Sequence, residues 1–169
     1  MQLISIIMPY YQKIDYVVNA INSVIKQTYQ NYELLIVYDD LDEKDLKIIK
    51  QITLDNAKIK IIQNSKNLGA GISRNIGIKK SSGEILSFID ADDEWMPDKL
   101  EKQLNFLNLH NYDFVFSGYK KILKNKSLDI ISKYDFLDYQ KLLLSCDIGL
   151  STVIIKKKAI HDNLFPNLK

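Results

Sequence analysis

An α/β fold with a mostly parallel, Rossmann-like sheet and helices on both faces is the architecture the sequence predicts. Short apolar, β-branched runs alternate with segments of helical period from residue 1 to about 112. Most of those runs are largely apolar at consecutive positions rather than at every second one, as expected of strands buried on both sides. Polar and acidic residues gather where the runs end, and open sheets of this kind bind their ligands beyond the carboxyl ends of the strands.

Taken in order, "LISIIM" (3–8) reads as the first strand, stopped by Pro9. Asp15 is placed to cap a helix whose inward positions are Val17, Ile21, Val24, Ile25 and Thr28. "YELLIVY" (32–38) is a second strand ending in Asp39 and Asp40, followed by a helix with Leu46, Ile49 and Ile52 or Thr53 inward. "KIKIIQ" (58–63) is the third strand, and "NSKNLG" is a loop of turn-forming residues. A helix follows over about 70–81, with Gly83 as its C-terminal stop. "EILSFI" (84–89) is the fourth strand. Pro97 suits the first turn of a helix that turns Leu100, Leu104 and Leu107 to one side. "DFVFSGY" (113–119) is a fifth strand, "KKILKNKSLDIISK" an exposed loop and hairpin, 135–145 a helix and "LSTVIIKK" (150–157) a late strand.

The 169 residues suit one domain. A net charge of +2, with 46% hydrophobic and 26% charged residues, argues against nucleic acid as a partner. Cys146 is the single cysteine, which excludes an internal disulfide or a CxxC metal site; it reads as a small core residue. No signal peptide and no apolar run of membrane-spanning length is found, so a cytoplasmic protein is expected. His110 and His161 read as surface residues at helix ends. Arg74 is the only arginine among 23 Lys and Arg residues, which marks it as a place where a planar, multi-donor fork is needed.

The chemistry concentrates in "SFIDADDEW", where Asp90, Asp92, Asp93 and Glu94 crowd the end of a strand. Such crowding raises carboxylate pKa values unless something neutralises it. A solvated loop of helix-capping acids accounts for Glu94 and Asp98 but not for Asp90, which follows directly on the strand. An EF-hand places its acids similarly, yet its sixth position requires glycine and is Trp95 here. A D-x-D phosphatase needs its motif on the first strand followed by Gly-Thr. "GAGISRNIG" (69–77) fails as a dinucleotide loop in both spacing and place, since Arg74 stands at the third glycine. A divalent cation shared with a diphosphate explains both the crowding and the strand-end position.

Together, "SIIMPYYQ", "ELLIVYDD", "NLGAGISRNIGIKKSSGEILSFIDADD" and "STVIIKKKAI" resemble a family 2 glycosyltransferase of GT-A fold over essentially the whole chain. The resemblance implies an enzyme that moves a sugar, with inversion, from a nucleoside diphosphate sugar (UDP-linked by family preference) to a saccharide or lipid-linked acceptor, as in polysaccharide biosynthesis. It implies that Pro9 and Tyr11 hold the nucleoside, that Asp39 accepts from a uracil-type ring N–H, and that Gly69 and Arg74 lie near the nucleotide. Asp90, Ala91 and Asp92 become the D-x-D motif, with Asp90 near the ribose and Asp92 the ligand of manganese or magnesium; Asp93 either assists or faces the sugar. Residues 1–95 would form the nucleotide-sugar part and 96–169 an incomplete acceptor-side part. The family's general base lies beyond the "FP" segment, so the resemblance implies a truncated domain whose base falls after Lys169 and which alone turns over poorly. Leu41-Asp42 replaces the usual Gly-Ser and leaves that loop's shape open. A nucleotide-binding module without chemistry, or a D-x-D phosphatase, are the other readings. Trp95 is either a wall of the donor pocket or core, and the Lys120–Lys126 run either a solvated loop or a peripheral contact with lipid headgroups at the inner face of the membrane.

Overall fold

Four strands lie parallel at the centre: β1 (Ile4–Tyr10), β2 (Tyr32–Tyr38), β3 (Ile59–Gln63) and β4 (Ile85–Phe88). The computed structural model describes residues 1–123, 126–130, 148–160 and 164–166. Two short strands, β5 (Phe114–Val115) and β8 (Ile154–Lys156), extend the sheet antiparallel, giving the order β3-β2-β1-β4-β8-β5. A separate hairpin pairs β6 (Tyr119–Leu123) with β7 (Lys126–Ile130). The helices are α1 (Ile14–Ile25), α2 (Glu43–Thr53), α3 (Ala70–Lys80) and α4 (Lys99–Leu109).

Alternation along β1 sorts the core into two layers. Ile4, Ile6, Met8 and Tyr10 pack with Val17, Ile21 and Val24 of α1, Leu46 and Ile49 of α2, and Leu100, Leu104 and Leu107 of α4. Ile7, on the opposite face, packs with Ile78 of α3 and with Leu86, Phe88 and Val153. The expected helices on both faces are therefore present, and each fully buried side chain of this size contributes about 1.5–3 kcal/mol. Close approach fixes the second layer: a Cβ at Gly77 would lie 2.5 Å from Ile7 Cγ2. At the cleft end, Tyr10 and Tyr38 stack at 5.1 Å across the β1–β2 pair, and Tyr10 Oη donates to Asp45 at 2.6 Å. That ties α2 to the rim of the sheet.

Several local expectations need correction. Pro9 does not stop β1. Tyr10 O accepts from Asp39 on the β2 side and Ile7 O from Ile89 on the β4 side, so the nitrogen of Pro9 faces the β4 side, where pairing has already ended at Ile7–Phe88. Asp15 lies in the first turn of α1 while Lys13 stands at its cap, and Thr28 lies outside the helix, exposed. On α2 it is Thr53 that is buried, while Ile52 is 40% exposed. Asp42 caps that helix by accepting from Lys44 N at 2.9 Å, and Leu41 points to solvent with no left-handed backbone, so the loop needs no glycine. Gly83 is not the stop of α3, whose cap is Ser81; it lets the chain pass β1, since a Cβ there would lie 2.6 Å from Leu3 O. Pro97 precedes α4 by two residues. The fifth strand shrinks from 113–119 to Phe114–Val115, with Tyr119 starting the hairpin, and the late strand begins only at Ile154 after a 3-10 turn, Leu150–Thr152. His110 is exposed and stacks on Tyr112 as a helix-end residue. The helix expected at 135–145, Cys146 and His161 lie outside the described residues. Among the described residues, no helix is long and apolar enough to cross a membrane.

Lys99 has an unusual setting at the start of α4. Its ammonium lies 4.0 Å from the Trp95 ring centroid and 3.3 Å from Ser87 Oγ. Burial pushes its pKa down from 10.5 to about 7. Because the folded value is the lower one, the unfolded chain binds the extra proton between pH 7 and 10.5, and stability rises with pH across that window. The penalty is complete below pH 7 and gone above 10.5. Lys99→Met is expected to stabilise the fold by about 2 kcal/mol at pH 6, with the Trp95 face offsetting the rest of the burial penalty, and by little at pH 10. Urea denaturation of both proteins at the two pH values checks this.

Candidate functional site

An open cleft of about 370 Å³ lies beyond the carboxyl ends of β1, β2 and β4. All eight residues expected to hold the donor line it: Pro9, Tyr11, Asp39, Gly69, Arg74, Asp90, Ala91 and Asp92. They come from four stretches separated by up to 83 positions in sequence, between Pro9 and Asp92, and the parallel sheet is what gathers them. Tyr10, Lys13, Asn67 and Ala70 complete the wall. Tyr11 is 48% exposed at the rim.

Asp39 is 2% exposed and already well bound. Its Oδ1 accepts from Asn64 Nδ2 at 2.7 Å and Leu68 N at 2.8 Å, and its Oδ2 from Gly69 N at 2.7 Å. Asn67 Nδ2 donates to its main-chain carbonyl at 3.0 Å. Asp39 therefore shapes the 64–69 loop, and Oδ2, with one donor, retains capacity for a second. Gly69 takes φ +85° and ψ 159°, a backbone conformation essentially restricted to glycine, and this turn aims its N–H at Asp39.

The acid loop turns tightly, with Asp93 N donating to Asp90 O at 3.0 Å. Ala91 goes into the core, 4% exposed, and Asp90 and Asp92 line the cleft on either side of it. Three of the four acids have a partner. Arg74 Nη2 donates to Asp90 Oδ1 at 2.6 Å, Lys13 Nζ lies 2.8 Å from Asp92 Oδ2, and Ser151 Oγ donates to Asp93 Oδ2 at 2.5 Å. The Asp93 carboxyl is raised above the usual range, first by burial and then by Asp90 and Asp92, with the Ser151 bond pulling the other way. The Asp92 carboxylate raises the Lys13 pKa. The crowding thus does not require a metal and diphosphate, as the sequence suggested: the chain carries its own counter-groups. Glu94 is exposed, as expected of a solvated acid. Trp95 is core, 7% exposed and outside the cleft, with its indole N–H donating to Ser151 O at 2.8 Å.

Sequence reasoning missed Lys13, Asn64 and Ser151. Lys13 follows Gln12, whose positive φ of 48° turns the chain from β1 into α1, a turn that the sequence itself does not mark. Ser151 gave no signal either: it also accepts from Asp90 N at 3.0 Å across 61 residues of chain.

Among the described residues, no group of three or more acidic, histidine or cysteine side chains is placed to hold a metal. A cation shared with a substrate diphosphate needs only one or two carboxylates from the protein. Asp92 fits that requirement, since its side chain is 41% exposed at the rim and one of its oxygens already holds a positive charge.

The chain matches the family model "Glycosyl transferase family 2" over residues 5–163. It is 35% identical over 164 residues to the UDP-Glc:alpha-D-GlcNAc-diphosphoundecaprenol beta-1,3-glucosyltransferase WfgD of Escherichia coli, covering 97% of this chain and 64% of that protein. It is 31% identical over 169 residues to the putative teichuronic acid biosynthesis glycosyltransferase TuaG of Bacillus subtilis (strain 168), covering 99% of this chain and 67% of the relative. Among solved structures, S. aureus TarS 1-349 in complex with UDP-GlcNAc superposes with a TM-score of 0.81 at 24% identity, over 98% of this chain and 49% of that one. The mannosyltransferase PcManGT from Pyrobaculum calidifontis, in complex with GDP-Man and Mn2+, gives 0.74 at 14% identity, over 97% and 47%. These two likenesses establish the fold, which is GT-A. The chain spans about two thirds of the length of the two relatives and about half of the two solved chains. It belongs to glycosyl transferase family 2.

Proposed function

We propose that this family 2 domain binds a nucleoside diphosphate sugar, with uridine as the nucleoside, in the cleft at the ends of β1, β2 and β4, and serves its transfer, with inversion, to a saccharide or lipid-linked acceptor. The observation that carries the reading is the convergence of Tyr11, Asp39, Arg74, Asp90 and Asp92 on one cleft. The names of the relatives support it: WfgD takes UDP-Glc and a diphosphoundecaprenol-linked acceptor, and TarS was solved with UDP-GlcNAc.

In this reading Tyr11 lies against the base and Oδ2 of Asp39 accepts from the ring N–H. Arg74 holds Asp90 towards the ribose. Asp92 would hold manganese or magnesium, which when bound neutralises the diphosphate and stabilises it as a leaving group. Residues 1–95 supply every one of these groups, and Ser151, from the 96–169 part, bonds to Asp90 N and Asp93 Oδ2 of the acid loop. None of the eight residues is assigned as the general base that the acceptor hydroxyl requires. Calorimetric titration with UDP and CDP tests the nucleoside assignment: cytosine N3 has no hydrogen to donate to Asp39, so UDP is expected to bind at least tenfold more tightly, and equal affinities would remove Asp39 from base recognition. Incubation with UDP-glucose and a diphosphate-lipid acceptor separates an enzyme, which forms glycolipid, from a nucleotide-binding module, which does not.

Lys13 adds a consequence of its own. Its ammonium sits on the carboxylate assigned to the metal, 2.8 Å from Oδ2, so a divalent cation has to displace it or share the carboxylate with it. Lys13→Met is expected to tighten the binding of Mn2+ alone by about tenfold, read from the paramagnetic resonance signal of free manganese. Unchanged Mn2+ affinity would show that the ion pair does not compete with the metal.

A further inference from the structure

Phe165 lies outside the cleft, yet it is built into the support of Arg74. Both main-chain polar groups of Phe165 pair with one side chain of α3: its N–H donates to Asn75 Oδ1 at 2.9 Å and its carbonyl accepts from Asn75 Nδ2 at 2.9 Å. Gly71, one turn earlier, leaves room for the next residue, since a Cβ there would lie 2.9 Å from Pro166 O. The Phe165 ring meets Phe88 edge-on, with centroids 5.5 Å apart and planes at 79°. The Arg74 guanidinium lies 5.5 Å from the centroid of the same ring.

Among the described residues Arg74 has few other restraints. Its side chain is 15% exposed, one Nη donates to Asp90, and its Nε is buried with no partner among the described residues. Among those residues, the ring of Phe165 and the carboxylate of Asp90 are what fix the guanidinium. A ring beside the cation attracts it and keeps water from that side, and a less solvated ion pair is a stronger one. Asp90 is 39% exposed towards the cleft, and without that ring the pair would approach the small value of a surface salt bridge.

We propose that Phe165, held by Asn75, is a positioning residue of the donor site that acts through Arg74 to fix Asp90. This rests on the reading of the cleft as the donor site. The segment at 164–166 is then part of the nucleotide-binding apparatus although it does not line the cleft. It also explains why asparagine follows the single arginine: Arg74 serves the cleft and Asn75 serves the segment that supports Arg74.

The test is UDP titration by calorimetry in the presence of Mn2+, with the melting temperature of each variant measured separately. Phe165→Leu keeps an apolar side chain but removes the aromatic ring, and is expected to weaken UDP binding by about tenfold; Phe165→Trp is expected to stay within about threefold of the parent. In an Arg74→Ala background, Phe165→Leu is expected to add no further loss, as residues acting through one another are not additive. Asn75→Ala reports on the same segment by another route and is expected to weaken UDP binding in parallel with Phe165→Leu. A lower melting temperature for Phe165→Leu with unchanged UDP affinity would reduce Phe165 to a packing residue and overturn the proposal. Full losses in both backgrounds would overturn it as well. If Arg74→Ala itself leaves UDP affinity unchanged, the donor-site reading of Arg74 fails and this inference fails with it; if Arg74→Ala weakens binding and Phe165→Leu does not, only this inference fails.

Discussion

Asp39→Ala is expected to cost the domain several kcal/mol and to abolish nucleotide binding. Three donors converge on this carboxylate, from Asn64, Leu68 and Gly69, and its side chain is 2% exposed. Removing the acceptor leaves them unpaired, and each unpaired buried donor costs about 1–3 kcal/mol. That sum is a large part of the stability of a domain this size, about 5–15 kcal/mol. Partial entry of water at the cleft side reduces it, which places the expected loss at about 3–5 kcal/mol. Urea denaturation reads the loss, and UDP calorimetry below the transition reads the binding. Asp39→Asn separates the two roles. Its amide oxygen can keep one or two of the donors, but its NH2 faces N–H groups in place of an acceptor, so the loop opens and UDP binding falls by at least about tenfold. Retention of full stability by Asp39→Ala would contradict the role of Asp39 in shaping the loop.

Asp92→Asn is expected to weaken Mn2+ binding in the presence of UDP by about a hundredfold, or about 2.7 kcal/mol. A neutral amide is a poorer ligand for a hard divalent cation than a carboxylate, and removing the charge removes most of the attraction. The variant should fold normally, because the Asp92 side chain lies at the rim and its partner in the fold is the Lys13 ammonium, itself well exposed; such pairs contribute little to stability. UDP affinity without metal should stay the same or rise slightly, since one negative charge near the diphosphate is gone and Lys13 is released from its partner. This combination of lost metal binding with preserved nucleotide binding is the signature of a metal ligand. Parallel loss of both in the absence of metal would instead mean that Asp92 holds the cleft together.

Legibility in the sequence followed the source of each feature. β2 was readable to the residue because burial on both faces leaves a nearly continuous apolar run, Tyr32–Tyr38, broken only by Glu33 and ended by Asp39 and Asp40. The run at 113–119 misled for the opposite reason. Among the described residues it lies at the far edge of the sheet, where β8 is its only partner and Phe114 stays 40% exposed, so apolar content does not imply a long ladder. Pro9 was misread because a proline ends a strand only if its nitrogen faces a neighbour. The cleft residues were legible because the acids and glycines fall at strand ends, and a parallel sheet brings such ends together. What those residues do to one another was not. The bonds from Leu68 and Gly69 to Asp39, from Arg74 to Asp90 and from Ser151 to Asp93 join positions far apart in the chain, and no local pattern encodes them. That is why the acid loop looked dependent on an external cation when the fold already supplies partners for three of its acids.

Calorimetric titration of the wild-type protein with UDP, with and without Mn2+, bears most directly on the cleft as a metal-assisted nucleotide-sugar site. Binding of UDP that tightens by at least tenfold when Mn2+ is added, with the gain lost in Asp92→Asn, is the predicted result. UDP binding that is absent under both conditions, or a manganese effect that survives intact in Asp92→Asn, would contradict it.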